Sequence, residues 1–209
     1  MNVSRPQRRA YDRIKRVLDI VGAAVGLIVL APVMLIVGAC VAIKLGRPVI
    51  FSQQRPGRDG RIFTLYKFRS MRPVDHARGV IDDEQRLTRF GRMLRASSLD
   101  ELPSLWNVLR GDMSFVGPRP LLVEYLGRYS PEQARRHEVR PGITGLAQVS
   151  GRNTVDWSDR FELDVEYVNR RSLALDARVF AATLRSVVVR EGISAEGHAT
   201  MRKFGESDD

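Results

Sequence analysis

The chain is poor in the residues that make covalent or metal cross-links. Its 209 residues include one cysteine, Cys40, so no internal disulfide framework can form. The three histidines, His76, His137 and His198, lie far apart, and with a single cysteine they exclude an ordinary zinc site. Acidic residues are scarce in the first half. Residues 1–16 hold six Arg or Lys against one Asp, and residues 44–99 hold thirteen against five. Between them, residues 17–43 carry a single charge, Asp19, whereas residues 100–209 are nearly balanced. The net charge of +10 therefore sits in the first half, on both sides of an apolar run, and points to an anionic partner: lipid headgroups, phosphorylated substrates or nucleic acid. There is no P-loop, dinucleotide fingerprint, nucleophile elbow, internal repeat or low-complexity tract. What is present is an apolar content of 44%, enough for a sizeable core, in a length that suits one domain or one domain with an appendage.

The run Val17–Ile43 is too apolar for a surface helix. Unbroken, it would be roughly 40 Å long, enough to cross a hydrocarbon core of about 30 Å with tilt. Pro32 interrupts it by removing a backbone donor and biasing Ala31 away from helix, and neither arm crosses alone. Three readings compete: a kinked spanning helix, a signal peptide whose Val37-Gly38-Ala39-Cys40 mimics a lipoprotein box, and a re-entrant hairpin. A spanning helix should be basic on one side only, yet both flanks are basic. A cleavable signal should end in a polar linker, yet Val41-Ala42-Ile43 stays apolar. Re-entry fits best. Asp19 is expected to pair with Lys15 or Arg16.

Beyond it, Val49-Ile50-Phe51 and Ile62–Tyr66 flank a turn-rich Arg55–Gly60 and predict a β-hairpin. Residues 73–86, with Asp82-Asp83-Glu84, read as a mobile loop whose acids are solvated. Helices are expected over Arg86–Leu94, Pro103–Arg110 with Gly111 as its stop, Leu121–Tyr129 and Pro131–Glu138. Another is expected over residues 156–170, with Trp157, Phe161, Val165 and Val168 on one face. A last one, capped by Asp176 and running to about Arg190, would lie in the core or in the membrane interface. The tail after Gly192 reads as loose.

The chemistry concentrates at Leu99-Asp100-Glu101-Leu102-Pro103. Two adjacent acids at a helix start can simply answer the helix dipole. Held ionised by backbone donors and cations, one could instead attack phosphorus while its neighbour holds a divalent cation. Lys67, Arg69, Arg95 and Arg119 supply candidate phosphate ligands, and Arg119 is stiffened between Pro118 and Pro120.

These blocks, taken in order, resemble the bacterial sugar transferase family, the monotopic phosphoglycosyl transferases. The resemblance runs over roughly residues 11–192. It rests on Lys15–Asp19, the proline-broken run, Val49–Gly57, Tyr66–Met71, Arg95–Pro103, Trp106–Pro120, Arg140–Val149 and Gly151-Arg152. It implies transfer of a sugar-1-phosphate from a UDP-sugar to polyprenol (undecaprenyl) phosphate with release of UMP, dependence on Mg²⁺, and the start of surface-glycan assembly. It implies Asp100 as a nucleophile carrying a covalent phosphosugar, and Glu101, with Asp100, toward the metal. Lys67, Arg69, Arg95 and Arg119 would hold phosphate, and Gly117, Pro118 and Pro120 would shape the nucleotide site. Ala31-Pro32, where related chains often have Ser-Pro, would be the break of a re-entrant membrane helix.

The expected fold is α+β. Residues 1–47 form a basic N-terminus and re-entrant helix-break-helix, and residues 48–192 a mostly helical catalytic domain with a small β-hairpin, lying at the membrane interface. Residues 193–209 form a tail. Membrane lipids are expected partners, at the cytoplasmic face of the bacterial inner membrane, and homo-oligomerisation is open. A membrane-anchored basic scaffold or a nucleic-acid binder is the alternative. Aromatics at 7%, many at apolar-face positions, are few for a base-stacking surface, so no nucleic acid is expected. A one-step transferase without a covalent adduct is the competing enzyme reading.

Overall fold

The computed structural model describes residues 5–76, 79–150 and 156–189, and Phe204. Two helices, α1 (Arg5–Val29) and α2 (Ala31–Leu45), meet at a bend of 63°. The cause is Pro32, which cannot donate to the carbonyl of Ile28 and crowds it. The backbone accommodates the break at Leu30, with φ −90° and ψ 0°, and the helical ladder resumes at Met34, whose N–H bonds Leu30 at 2.8 Å. Neither helix alone is long and apolar enough to cross a membrane, but the bent pair passes that test together.

Each arm has an inner and an outer face. Asp19 and Ala23 on α1, and Val37, Val41 and Leu45 on α2, are buried at four-residue spacing. Gly22 lets α1 approach closely, since a Cβ there would lie 2.8 Å from the Phe115 ring. The outer faces, including Val17, Val21, Ile28, Leu35, Ile36 and Ile43, are more than half exposed. Asp19 does not pair with Lys15 or Arg16. It turns inward and accepts from the Ser114 hydroxyl (3.0 Å) and the Phe115 N–H (3.1 Å). Lys15 goes to Asp176 (2.7 Å), and Arg16 donates to the carbonyls of Val108 and Leu109. The α1 side chains that sequence distance paired locally are fasteners to the rest of the chain.

The hairpin forms as expected, with longer strands. β1 (Ile50–Pro56) runs antiparallel to β2 (Ile62–Phe68), from Ile50 opposite Phe68 to Pro56 opposite Ile62. The described part of the 73–86 segment holds local structure that the loop reading does not include. Asp75 bridges Val80, and the acidic triplet opens a one-turn helix, α3 (Asp83–Arg86), closed by an Arg86–Asp83 ion pair at 3.0 Å. α4 (Arg89–Ala96) begins after Thr88, whose hydroxyl caps it by accepting from the Gly91 N–H. α5 (Ser104–Arg110) ends at Gly111, which takes the left-handed φ of 95° that favours glycine.

A second small sheet was not legible as strands. β3 (Ser114–Val116) lies parallel to β4 (Gly142–Thr144). Between them, Leu121–Tyr129 folds as a 3₁₀ turn over Val123–Arg128. Pro131–Glu138 divides into α6 (Pro131–Ala134), with a Ser130–Gln133 capping box, and a 3₁₀ turn over Arg135–Glu138. α7 (Leu146–Ser150) and α8 (Trp157–Arg170) follow, and α8 buries Phe161, Val165 and Val168 on one face. α9 (Leu173–Val189) is capped by Ser172, not Asp176, whose carboxylate instead receives Tyr11, Lys15 and Tyr167. Its Val179 is buried in the core, as expected of a core helix, while Phe180 and Leu184 are exposed. The loose tail and Gly151-Arg152 lie outside the described residues, except that Phe204 packs among Tyr125, Tyr129, Trp157 and Phe161. The described chain is mostly helical with two two-stranded sheets.

Candidate active site

Among the described residues, the edge of β2 turned away from β1 carries no third strand. Side chains of α5 complete it: Asn107 accepts from the Tyr66 N–H (3.1 Å) and donates to the Thr64 carbonyl (2.7 Å), and Ser104 donates to the Tyr66 carbonyl (2.8 Å). This lashing sets the turn before α5 beside β2, and so sets Asp100 and Glu101 beside Lys67. The turn Leu99–Glu101 is 3₁₀, entered through Ser98 in the left-handed region (φ 55°). The acids therefore precede the helix rather than occupy its first turn.

On the other side, β3 and β4 bring two Gly- and Pro-rich loops together. Gly117, Gly142 and Gly145 touch backbone to backbone. A Cβ on Gly142 would meet the Gly117 nitrogen at 2.2 Å, and one on Gly117 the Arg140 carbonyl at 2.4 Å. The Pro118 carbonyl accepts from the Gly142 N–H at 3.0 Å. Gly117-Pro118-Arg119-Pro120 leaves this junction as a stiff arm, and Arg119 reaches Glu101.

Glu101 is gripped twice: Lys67 Nζ lies 2.6 Å and Arg119 Nη2 2.8 Å from its Oε1. Burial opposes its charge, but Arg119 and Lys67 outweigh burial and hold its carboxyl down at about 2. Asp100, also buried, is pushed the other way, up to about 6, by burial and then by the charge of Glu101, against Lys67, Arg119 and Arg95. Two neighbouring carboxyls thus titrate far apart, a pattern common at sites of acid, base or nucleophilic chemistry. Burial lowers Lys67, while Glu101 raises Arg119, whose side chain remains 40% exposed and open to a ligand. Arg95, lowered by burial, donates to the Ser70 hydroxyl at 2.9 Å and bears electrostatically on Asp100. Among the described residues no three His, Cys, Asp or Glu side chains cluster as a metal site. A cation held here would rest on Asp100, Glu101 and substrate phosphate oxygens, an all-oxygen set that suits Mg²⁺.

Arg69 is not brought to the acids. Its guanidinium donates to the carbonyls of Leu45 (2.7 Å), Gly46 and Arg47 (3.1 Å), closing the C-terminal end of α2. Ala31 and Pro32 lie at the bend. Sequence reasoning missed the scaffold behind Arg119: Arg55, whose Nη1 donates to the Pro120 carbonyl (3.4 Å), and Arg136, whose Nη2 donates to the Arg119 carbonyl (2.8 Å). It also missed Asn107 and Ser104; a polar residue on an otherwise apolar short helix was the available signal. A small cavity of about 10 Å³ lies against Pro118, Arg119 and Pro120, with His137 in its wall. A larger one, about 30 Å³, opens between α1 and β3 away from Asp100, and its Lys15 and Arg16 are already bonded within the fold.

The bacterial sugar transferase family model matches residues 10–190. The chain belongs to the bacterial sugar transferase family. It is an enzyme of the phosphoglycosyl transferase class, and relatives agree with that assignment. An uncharacterized sugar transferase of Bacillus subtilis, EpsL, is 49% identical over 94% of this chain and 98% of its own length. The UDP-glucose:undecaprenyl-phosphate glucose-1-phosphate transferase of Caulobacter vibrioides is 40% identical, over 88% of this chain and 73% of its own. The undecaprenyl-phosphate galactose phosphotransferase of Salmonella typhimurium is 39% identical over 88% of this chain, which spans only 42% of that protein. Two of these bacterial sugar transferases are named for different sugars, so resemblance across the shared region does not by itself name the sugar.

Proposed function

We propose that this chain transfers a sugar-1-phosphate from a UDP-sugar to polyprenol phosphate, with Asp100 as the nucleophile. The observation that carries the reading is the split acid pair: a buried Asp100 beside a Glu101 whose charge Lys67 and Arg119 fix. The names of the Caulobacter and Salmonella relatives support the reaction class and undecaprenyl phosphate as acceptor.

In the first step an Asp100 carboxylate oxygen attacks the phosphorus that bears the sugar. The bond from that phosphorus to the oxygen bridging the two phosphates breaks, and UMP leaves with the electron pair. In the second, a phosphate oxygen of polyprenol phosphate attacks the same phosphorus, the bond to Asp100 breaks, and polyprenyl diphosphate sugar departs. Lys67, Arg95 and Arg119 hold phosphate charge through both steps, since phosphoryl transfer is chiefly positioning and charge stabilisation. Asp100 and Glu101 would hold Mg²⁺, whose chemistry here is neutralising phosphate charge. The pinched Gly117–Pro120 arm shapes the nucleotide side. α1 and α2 dip into the cytoplasmic leaflet of the inner membrane with their exposed apolar faces in lipid, and both ends return to the aqueous side.

A one-step transferase competes, because a carboxyl near 6 also suits a general base. The test uses purified full-length protein with UDP-glucose, UDP-galactose and UDP-N-acetylgalactosamine in turn, each with Mg²⁺. With undecaprenyl phosphate, one donor should release UMP. Without acceptor, a peptide containing Asp100 should gain one phosphosugar mass. UMP release by single-step kinetics with no adduct would leave the one-step reading; no release from any donor would count against the reaction as proposed.

A further inference from the structure

We propose that the buried Arg136–Asp164 pair aims Arg119, which makes Arg136 a positioning residue for the phosphate contact. The inference rests on the reading of Arg119 as a phosphate ligand given above.

Arg136 and Asp164 come from different elements, the 3₁₀ turn after α6 and the middle of α8, and their side chains are 1% and 2% exposed. The guanidinium has its donors placed in three directions. Nε and Nη2 both donate to Asp164 Oδ2 (3.0 and 2.7 Å), Nη1 donates to the Tyr129 hydroxyl (3.2 Å), and Nη2 also donates to the main-chain carbonyl of Arg119 (2.8 Å). The rings of Tyr129 and Phe161 pack at 5.7 and 5.5 Å from its central carbon and fix its plane.

Two physical points favour a function beyond holding the core together. A buried ion pair is weak support for stability, because desolvation offsets most of the attraction and apolar replacement is often neutral. The group it reaches is also specific. Pro118 and Pro120 fix their own φ, Pro120 biases Arg119 to an extended ψ, and the Gly142 N–H holds the Pro118 carbonyl, so rotation about φ of Arg119, which swings the Arg119 carbonyl, is the freedom the arm retains. Bonding that carbonyl to a buried guanidinium fixes where the arm points, and so where the Arg119 side chain meets Glu101. Arg55 supports the next carbonyl, that of Pro120, more loosely at 3.4 Å.

The test uses two variants that leave no lone buried charge. Arg136→Lys keeps the ion pair but offers one ammonium in place of a planar fork spanning Asp164, Tyr129 and the carbonyl. Arg136→Met/Asp164→Leu removes both charges. Each is made alone and with Arg119→Ala, and three quantities are read: thermal midpoint, amide exchange at Gly117 and Gly142, whose N–H groups bond the Thr144 and Pro118 carbonyls at the root of the arm, and UMP release from the donor that turns over. The variants should melt within a few degrees of the parent and exchange those amides about tenfold faster. They should lose roughly 10- to 100-fold in turnover, in whichever of kcat or KM Arg119→Ala changes. In the Arg119→Ala background the further loss should stay under about threefold. Equal losses in both backgrounds would assign the pair a purely structural role, and parental exchange and turnover in both variants would overturn the proposal outright. If Arg119→Ala itself turns over normally, the phosphate reading fails, while faster exchange at Gly117 and Gly142 still upholds the anchor.

Discussion

Asp100 and Glu101 are chemically near-identical and adjacent, yet their surroundings separate them. Lys67 and Arg119 both bond Glu101, which stays charged down to about 2, whereas Asp100 keeps its proton up to about 6. A carboxyl raised in the fold stabilises it below the unfolded value of 3.8, and that contribution is lost as pH rises through about 6. At neutral pH the ionised Asp100 therefore works against folding, by an amount on the order of 3 kcal/mol. Asp100→Asn should raise the thermal midpoint by several degrees while turnover falls by several orders of magnitude. In the parent enzyme, kcat/KM should fall tenfold per pH unit below the Asp100 midpoint, which is about 6 without metal and shifts down as Mg²⁺ is raised, and Glu101 should add no further limb until far lower pH. A variant that loses both stability and activity would show that the charge of Asp100 holds the turn together. The acids and their cations were readable because they stand in ordered blocks. Arg69 was misplaced for a physical reason: two-residue alternation would set it beside Lys67, but β2 ends at Phe68 and the chain turns Arg69 to the end of α2.

At the level of elements, the hairpin, the bend at Pro32, and helices α5 and α8 followed from periodicity and stop signals. The β3–β4 pair did not, because three-residue strands leave no alternation to detect. The fastening of α5 to β2 was equally hidden, since it depends on side chains standing in for a third strand. Asn107 is fully buried and holds the Tyr66 N–H and the Thr64 carbonyl at once. Asn107→Ala leaves both backbone groups without that partner in a dry interface, at about 1–3 kcal/mol each. Chemical denaturation of detergent-solubilised protein should show a loss of about 2–4 kcal/mol. Glu101 should also release its hold on Lys67, so turnover measured well below the new melting temperature should fall too. A drop in stability with parental turnover would separate the fastening from the site.

The whole molecule joins a charged site to an apolar hairpin, and its charge distribution bears on the proposed re-entrant topology. Basic residues flank both arms, with Arg13, Lys15 and Arg16 before and Lys44 and Arg47 after. A 63° bend brings the two arms to an angle no straight span has. Placing either flank outside the cell would oppose the preference of Arg and Lys for the cytoplasmic side. The inner stripe of both arms also packs on the catalytic part through Ala23 and Val41, which ties the hairpin to the site and, on the proposed re-entrant reading, places both flanks with the site. Cysteine probes at Ala10 and Arg72, in a Cys40→Ala background, should both be shielded from a thiol reagent applied outside intact cells. Pro32→Leu restores the missing donor and removes the clash with the preceding turn. The apolar run could then straighten to roughly 40 Å and span, so some molecules should expose the Ala10 probe. The straightened form must give up the packing of α1 or α2, so Pro32→Leu should also lower UMP release in proportion to the fraction labelled. Labelling of Ala10 in the parent, with Arg72 protected, would make the chain a single-span protein and return the bend to a kink within the membrane.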